Sequence, residues 1–332
     1  MIDHSSRRRS FAGQALRVLP SQLGLLALVL LAVSSVGCRP KTQATPESQA
    51  GCVWKVTRPG GAGQLWVCGS IHVLRASDWP LAASYEEAYG QSSGLVLELP
   101  PDAAKSPQMA QSLQRLGFVA VKDKPLSGRI RPEVLKLLEQ WCAKRGKDLE
   151  LYQRMRPWLV ALMVAMAEYD ALGASAEHGV ENHFEDRARA DGKAAQGLES
   201  VEFQLGLFAQ LDPRAEEDLL DQSLREAHAA EAQFAQMVSH WKQGDLAALH
   251  AMIHREAHQH PELFDRLIVQ RNRRWAGQLG EMLQKGRRLM VLVGAGHLGG
   301  EPDGLLALLR AQGCVLETWK PKAPAPGPSS SP

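Results

Sequence analysis

The chain has 332 residues, 45% of them hydrophobic and 22% charged, with a formal net charge of +2. That composition belongs to a globular protein with enough chain for one large core. Near-neutral charge and only 6% aromatics provide neither the concentrated basic face nor the stacking platform that nucleic acid requires, so nucleic acid is excluded as a partner.

The amino-terminal stretch has its own logic. Arg7, Arg8 and Arg9 precede an apolar run from Leu23 to Val36, which Gly37-Cys38 follows. A basic start and a short apolar run make a secretory signal rather than a secure membrane span. Ser35-Val36-Gly37-Cys38 resembles a bacterial lipobox. The resemblance implies a signal over residues 1–38 and a lipid on Cys38, the first residue of the mature protein. Arg39, where inner-membrane lipoproteins carry Asp, implies an outer-membrane anchor facing the periplasm. Residues 39–50, rich in Thr, Gln, Pro and Ser, cannot build a core and read as a disordered tether. Residues 51–319 form the domain, and the Pro- and Ser-rich residues 320–332 a disordered tail.

Within the domain, Cys52 to Thr57 alternates and should pair with Gln64 to Gly69 as a hairpin around the turn-rich Arg58-Pro59-Gly60-Gly61-Ala62-Gly63. A helix is expected near Ala83 to Gly90, then an apolar strand Gly94 to Pro100. From Pro101 to Leu172 the pattern is helical, with Pro132 and Pro157 opening helices and Trp158 to Leu172 apolar enough to be buried all round. A polar helix over Glu177 to Ala190 leads to a short strand that ends at Glu199. Amphipathic helices from Val201 to Lys285 read as an inserted helical lobe, residues 201–285. A last strand pair, Arg288 to Val293 and Cys314 to Trp319, closes the chain, joined by a helix from Asp303 to Gln312. The fold class is α/β: a mixed β-sheet with an N-terminal β-hairpin, flanking helices and a largely helical middle lobe.

Export makes disulfides admissible. Cys52, Cys68, Cys142 and Cys314 allow three pairings. The hairpin could set Cys52 opposite Cys68, leaving Cys142 with Cys314. His250, His254 and His258 recur at helical spacing with His260 after them; such a stripe can chelate a metal, but it is the ordinary wet face of an amphipathic helix.

The chemistry concentrates in two repeats of one pattern. Leu65 to His72 is an apolar strand ending in Gly69-Ser70-Ile71-His72, and Leu289 to His297 is another ending in Gly294-Ala295-Gly296-His297. Buried parallel strands are continuous apolar runs, and α/β sheets build their sites at the carboxyl ends of such strands. A third run, Gly94 to Leu99, carries Glu98 at its end. A buried charge there is costly unless paired or bound to metal. His72, His297 and Glu98 therefore form a candidate shell for a divalent metal ion (Zn, Mn or Co).

The ordered set Gly69-Ser70-Ile71-His72, Leu97-Glu98-Leu99, Arg156-Pro157-Trp158, Gly197-Leu198-Glu199-Ser200, Trp241 to Asp245, Arg271 to Trp275 and Gly294 to Leu298 resembles the TraB/GumN family. That family includes relatives of the Tiki metalloproteases and is similar in fold to erythromycin-esterase-like and ChaN-like haem-binding proteins. The resemblance implies a metal-dependent hydrolase of the cell envelope, a peptidase acting on peptides or other small envelope substrates. In it Glu98 completes the metal shell or acts as general base, Glu199 is an acid/base partner or orienter, Arg271 an anion clamp and Asn272 a polar orienter. The alternatives it leaves are a metal-independent hydrolase with a histidine as general base, and a non-catalytic haem- or ligand-binding lipoprotein.

Overall fold

The computed structural model describes residues 51–257 and 261–320, without the side chains of 253–257. In chain order the elements are β1 (Val53–Thr57), β2 (Gln64–Ser70), α1 (Ala83–Gln91), β3 (Gly94–Leu97), α2 (Pro107–Gly117), α3 (Pro132–Arg145), α4 (Pro157–Ala171) and α5 (Val180–Ala190). There follow β4 (Ala194–Gly197), α6 (Val201–Ala209), α7 (Pro213–Glu226), α8 (Ala230–Gln243), α9 (Leu246–Ala257), α10 (Pro261–Phe264), α11 (Gln270–Gln284), β5 (Arg288–Gly294), α12 (Leu305–Ala311) and β6 (Val315–Thr318).

The six strands form one mixed sheet in the order β4-β3-β5-β2-β1-β6. β2, β5, β3 and β4 run parallel, while β1 is antiparallel to both β2 and β6. Parallel pairing demands burial on both faces, which explains why β2 and β5 are near-continuous apolar runs whose residues, after the first, are all buried. Their registers bring the two Gly-x-x-His turns side by side, with Gly69 beside Val293 and Ser70 beside Gly294. The expected hairpin forms as β1 and β2. β5 and β6, expected as a pair, are separated by β2 and β1, because β5 finds its apolar partners in the two buried parallel strands.

Helix starts follow the residues. Proline opens α2, α3, α4 and α7, where its missing N–H costs nothing. The Ser106 hydroxyl accepts from the Met109 amide at 3.1 Å, and Asp212 accepts from the amides of Arg214 and Ala215 at 2.9 Å.

Two apolar cores result. One wraps the sheet and takes in Phe184 of α5, Phe234 and Trp241 of α8, and Trp275 and Leu279 of α11. The other joins α2, α3 and α4 to α6 and α7 around Trp158, Phe208 and Leu220. The helical core thus draws on residues before β4 as well as after it, while α8 and α11 pack on the sheet and Leu267 and Ile268 between them join the helical core; residues 201–285 contribute to both. Among the described residues no helix is long and apolar enough to cross a membrane.

All four described cysteines are buried and free. The expected Cys52–Cys68 bridge is absent for a reason of register. Cys68 lies opposite Val53, one position out of step with Cys52, so the two thiols do not face each other. Cys52 Sγ instead donates to Trp241 O at 3.3 Å and Cys68 Sγ to Trp66 O at 3.4 Å. Cys142 and Cys314 belong to different cores. Cys38 and the signal, tether and tail lie outside the described residues, apart from Lys320.

Candidate active site

The carboxyl ends of four parallel strands deliver the cluster: His72 after β2, Glu98 after β3, Glu199 after β4 and His297 after β5. Beyond the last strand residues the ladder continues, Leu198 N–H to Leu97 O and Glu199 N–H to Glu98 O, each at 2.9 Å. That extension sets the two glutamates beside one another. Glycine is required in the first turn: a Cβ on Gly69 would lie 2.9 Å from Leu298 Cδ1 and 3.1 Å from Ala295 Cα, so the two Gly-x-x-His turns meet there. The Gly69 carbonyl is then fixed by two buried donors, Tyr85 Oη at 2.6 Å and Trp241 Nε1 at 2.8 Å.

Arg271 is the hub. Its side chain is fully buried, and each of its three nitrogens donates to a partner. Nε donates to Glu199 at 3.0 Å, Nη2 donates to Glu98 Oε2 at 2.5 Å and lies 3.0 Å from Glu199 Oε2 as an ion pair, and Nη1 donates to Leu267 O and His297 Nε2, each at 3.1 Å. Leu267 lies in a widened π-helical turn, Asp265–Val269, immediately before α11. The guanidinium also lies over the Trp275 ring, 4.5 Å from its centroid. Because an arginine only donates, His297 Nε2 is an acceptor, and its Nδ1–H donates to Asn272 Oδ1 at 2.7 Å. The Asn272 amide group completes the frame by donating to His297 O at 3.1 Å and Asp303 O at 2.9 Å. Gln204 Nε2 ties Glu98 to Glu199 at 3.2 and 3.3 Å, and the Gly294 amide donates to Glu98 Oε1 at 2.8 Å.

His72 is differently placed. Its Nδ1 meets Glu181 Oε1 at 2.6 Å, and its Nε2 faces Glu98 Oε1 across 4.0 Å. The side chains of His72 and Glu181 are 14% and 16% exposed, against 5% or less for Glu98, Glu199 and Arg271. Access from solvent is therefore past His72.

The electrostatics follow from this geometry. Burial alone would lower the His72 pKa, but the Glu181 carboxylate bonded to it and the nearby Glu98 outweigh that and raise it to about 9. Burial would raise Glu98, yet Arg271, the neighbouring imidazoles and the Gly294 amide hold it at about 2. His297 is pushed down to about 3, first by burial and then by the Arg271 charge, so it is neutral. Burial raises Glu199 despite Arg271. Arg271 itself is raised, its two carboxylates overcoming the burial penalty.

His72, Glu98 and His297 thus come together as expected, but their lone pairs do not converge as a three-donor metal shell. His297 Nε2 is occupied by Arg271 Nη1, and Asn272 holds the other ring nitrogen. Among the described residues no group of three or more His, Cys, Asp or Glu is arranged to hold a metal ion. Arg271, expected as an anion clamp, is fully buried and directed at Glu98, Glu199, Leu267 and His297. Asn272 does orient, and what it orients is His297. The sequence reading missed Ser70, Glu181 and Gln204; Gly179-Val180-Glu181 at the start of α5 was the available signal for the second. Trp241 supports the Gly69 turn. Arg156 is structural, tying the carbonyls of Leu116 and Ala209 to Glu216. Of the histidine stripe, His250 packs its ring against Gly300, where a Cβ would lie 2.2 Å away, and the side chains of His254, His258 and His260 lie outside the described residues.

A family model described as TraB/PrgY/gumN matches residues 52–318. The chain belongs to the TraB/PrgY/gumN family. Among TraB/PrgY/gumN relatives, it is 27% identical over 246 residues to the uncharacterised protein YbaP of Escherichia coli (strain K12), covering 74% of this chain and 88% of that protein. It is 28% identical to YbaP of Shigella flexneri over the same shares. No solved structure matches. The match ends with the last residue of β6 and so takes in every strand end that carries the cluster.

Proposed function

We propose that this TraB/PrgY/gumN protein is an envelope hydrolase, held at the membrane by a lipid on Cys38, in which His72 transfers the proton. The observation that carries this reading is the contrast in commitment. Arg271, Asn272 and His297 are buried and tied to one another, whereas the His72 side chain is 14% exposed and its Nε2 stands 4.0 Å from Glu98 Oε1, beyond hydrogen-bond distance. Hydrolysis needs one proton given to the leaving group and one taken from water. With a pKa of about 9, His72 is an imidazolium at neutral pH and can donate its Nε2 proton to the leaving atom. Glu98 Oε1, 4.0 Å away, accepts a proton from the attacking water and, as the weaker base, passes it on to His72. Bond breaking and proton inventory then balance, and the buried arginine fixes the carboxylates without leaving the site. The likeness to Tiki proteases supports peptides as the substrate class.

The test uses the full chain and a quenched-fluorescent peptide mixture, before and after exhaustive chelation, with His72→Asn alongside and elemental analysis of each sample. Hydrolysis that survives chelation and is lost in His72→Asn supports the proposal. A stoichiometric divalent ion, lost in His72→Asn and needed for turnover, would replace it with a metal-centred hydrolase. A Soret band on haem addition with no peptide turnover would make the chain a binding lipoprotein.

A further inference from the structure

Glu181 comes from outside the strand ends that supply the rest of the cluster. It sits in the first turn of α5, and backbone contacts press that turn against the His72 segment. Val180 N–H donates to Ile71 O at 3.2 Å, and Leu74 and Ser175 exchange backbone hydrogen bonds at 3.2 and 2.9 Å. Between them lies Gly179, where a Cβ would fall 2.1 Å from the His72 carbonyl oxygen. The approach is open only to glycine.

The carboxylate thus delivered is bonded asymmetrically. Glu181 Oε1 receives both His72 Nδ1, at 2.6 Å, and the Ser70 hydroxyl. Oε2 is buried and has no hydrogen-bond partner among the described residues. A carboxylate present only to satisfy buried donors would spread them over both oxygens, because an unpaired buried oxygen is a cost. Here both donors are gathered on the oxygen that meets the imidazole. Ser70 precedes His72 by two residues on the same strand end, so one stretch of chain supplies the ring and the hydroxyl that steadies the ring's partner.

We infer that Glu181 is a positioning residue of this site: its Oε1 holds a proton on His72 Nδ1 and thereby turns Nε2 toward Glu98, while Ser70 anchors the carboxylate. The inference rests on the reading of His72 as the proton-transfer group. An imidazole whose Nδ1–H is held by a carboxylate keeps one ring orientation and presents only Nε2 to the reacting atoms. Gly179 is part of the same device, since it sets how close the carboxylate comes.

The experiment observes the His72 Nδ1 proton directly by NMR in full-length protein labelled with nitrogen-15 histidine, assigned with His72→Asn. Wild type should give a downfield, exchange-protected Nδ1–H resonance. Glu181→Gln, which keeps the side chain's shape, should move it upfield; Glu181→Ala and Gly179→Ala should lose it. With the peptide mixture as probe, kcat of Glu181→Gln should fall on the order of 10²–10⁴-fold while KM changes little. A resonance unchanged in both Glu181 variants would overturn the inference, as would an unchanged kcat in Glu181→Gln. If Gly179→Ala does not fold, Glu181→Gln carries the test alone. A resonance that responds as expected beside hydrolysis that survives in His72→Asn would remove His72 as the proton-transfer group and leave the hold on the ring established.

Discussion

Arg271 and its partners are the part of this molecule where single side chains decide most. A buried guanidinium between two buried carboxylates is stable only as a complete set, since removing one partner strands an uncompensated charge. Arg271→Ala should therefore destabilise the domain by about 3–5 kcal/mol, read as a drop in the urea midpoint at unchanged slope. The pH dependence has two limbs of opposite sign. His297 (6.5 to about 3) and Glu98 (4.5 to about 2) have lowered pKa values, so their contribution is present at neutral pH and fades as pH falls, from 6.5 downward. His72 is raised from 6.5 to about 9, so its contribution is complete below 6.5 and is lost as pH rises toward 9. Stability should peak near pH 6.5, and His72→Gln should flatten the decline on the alkaline side in thermal melts. The Gly-x-x-His pattern made His72 and His297 legible in the sequence, as the isolated charge made Glu98. Their different roles were not legible, because they depend on Arg271, more than 170 positions from Glu98, claiming the lone pair of one ring and not the other.

At the scale of elements, the strand ends and their turns are what bring these residues together. Gly69→Ala would put a methyl group within 2.9 Å of Leu298 and 3.0 Å of the Cys52 side chain. Overpacking of this kind costs about 1–3 kcal/mol, and it acts between the two turns that carry His72 and His297. Gly69→Ala should lower the melting temperature and cut hydrolysis more than its stability loss explains; melting and turnover measured on one preparation check both. The apolar runs made β2, β3 and β5 readable, and the prolines at 132 and 157 made the starts of α3 and α4 readable. Sheet order was not. Neighbours β5 and β6 in the chain are separated in the sheet because buried parallel pairing of β5 with β2 and β3 outweighs sequence proximity. Glu181 was missed for a related reason: a charged residue in a polar helix looks solvated until the contact of Gly179 with His72 is known.

Across the whole molecule, one sheet core and one helical core share the chain without a covalent crosslink between described residues. Burial raises the Cys52 thiol to about 12 and lifts the Cys68 thiol well above its ordinary value, so neither should react in the folded state. A thiol reagent should leave Cys52, Cys68, Cys142 and Cys314 unmodified in native protein and titrate all four on unfolding, with the melting temperature indifferent to reductant. A bridged pair would instead remain silent after unfolding until reduced. The disulfide expectation came from compartment and count, and neither contains the one-residue offset that separates the thiols. The architecture leaves a site whose charges are locked into the fold and whose one solvent-facing imidazole lies at its mouth. The direct measurement is peptide hydrolysis by chelated wild-type protein and by chelated His72→Asn, compared side by side. Turnover by wild type and none by His72→Asn is the predicted result; loss of wild-type turnover on chelation, restored by adding back a divalent ion, would contradict it.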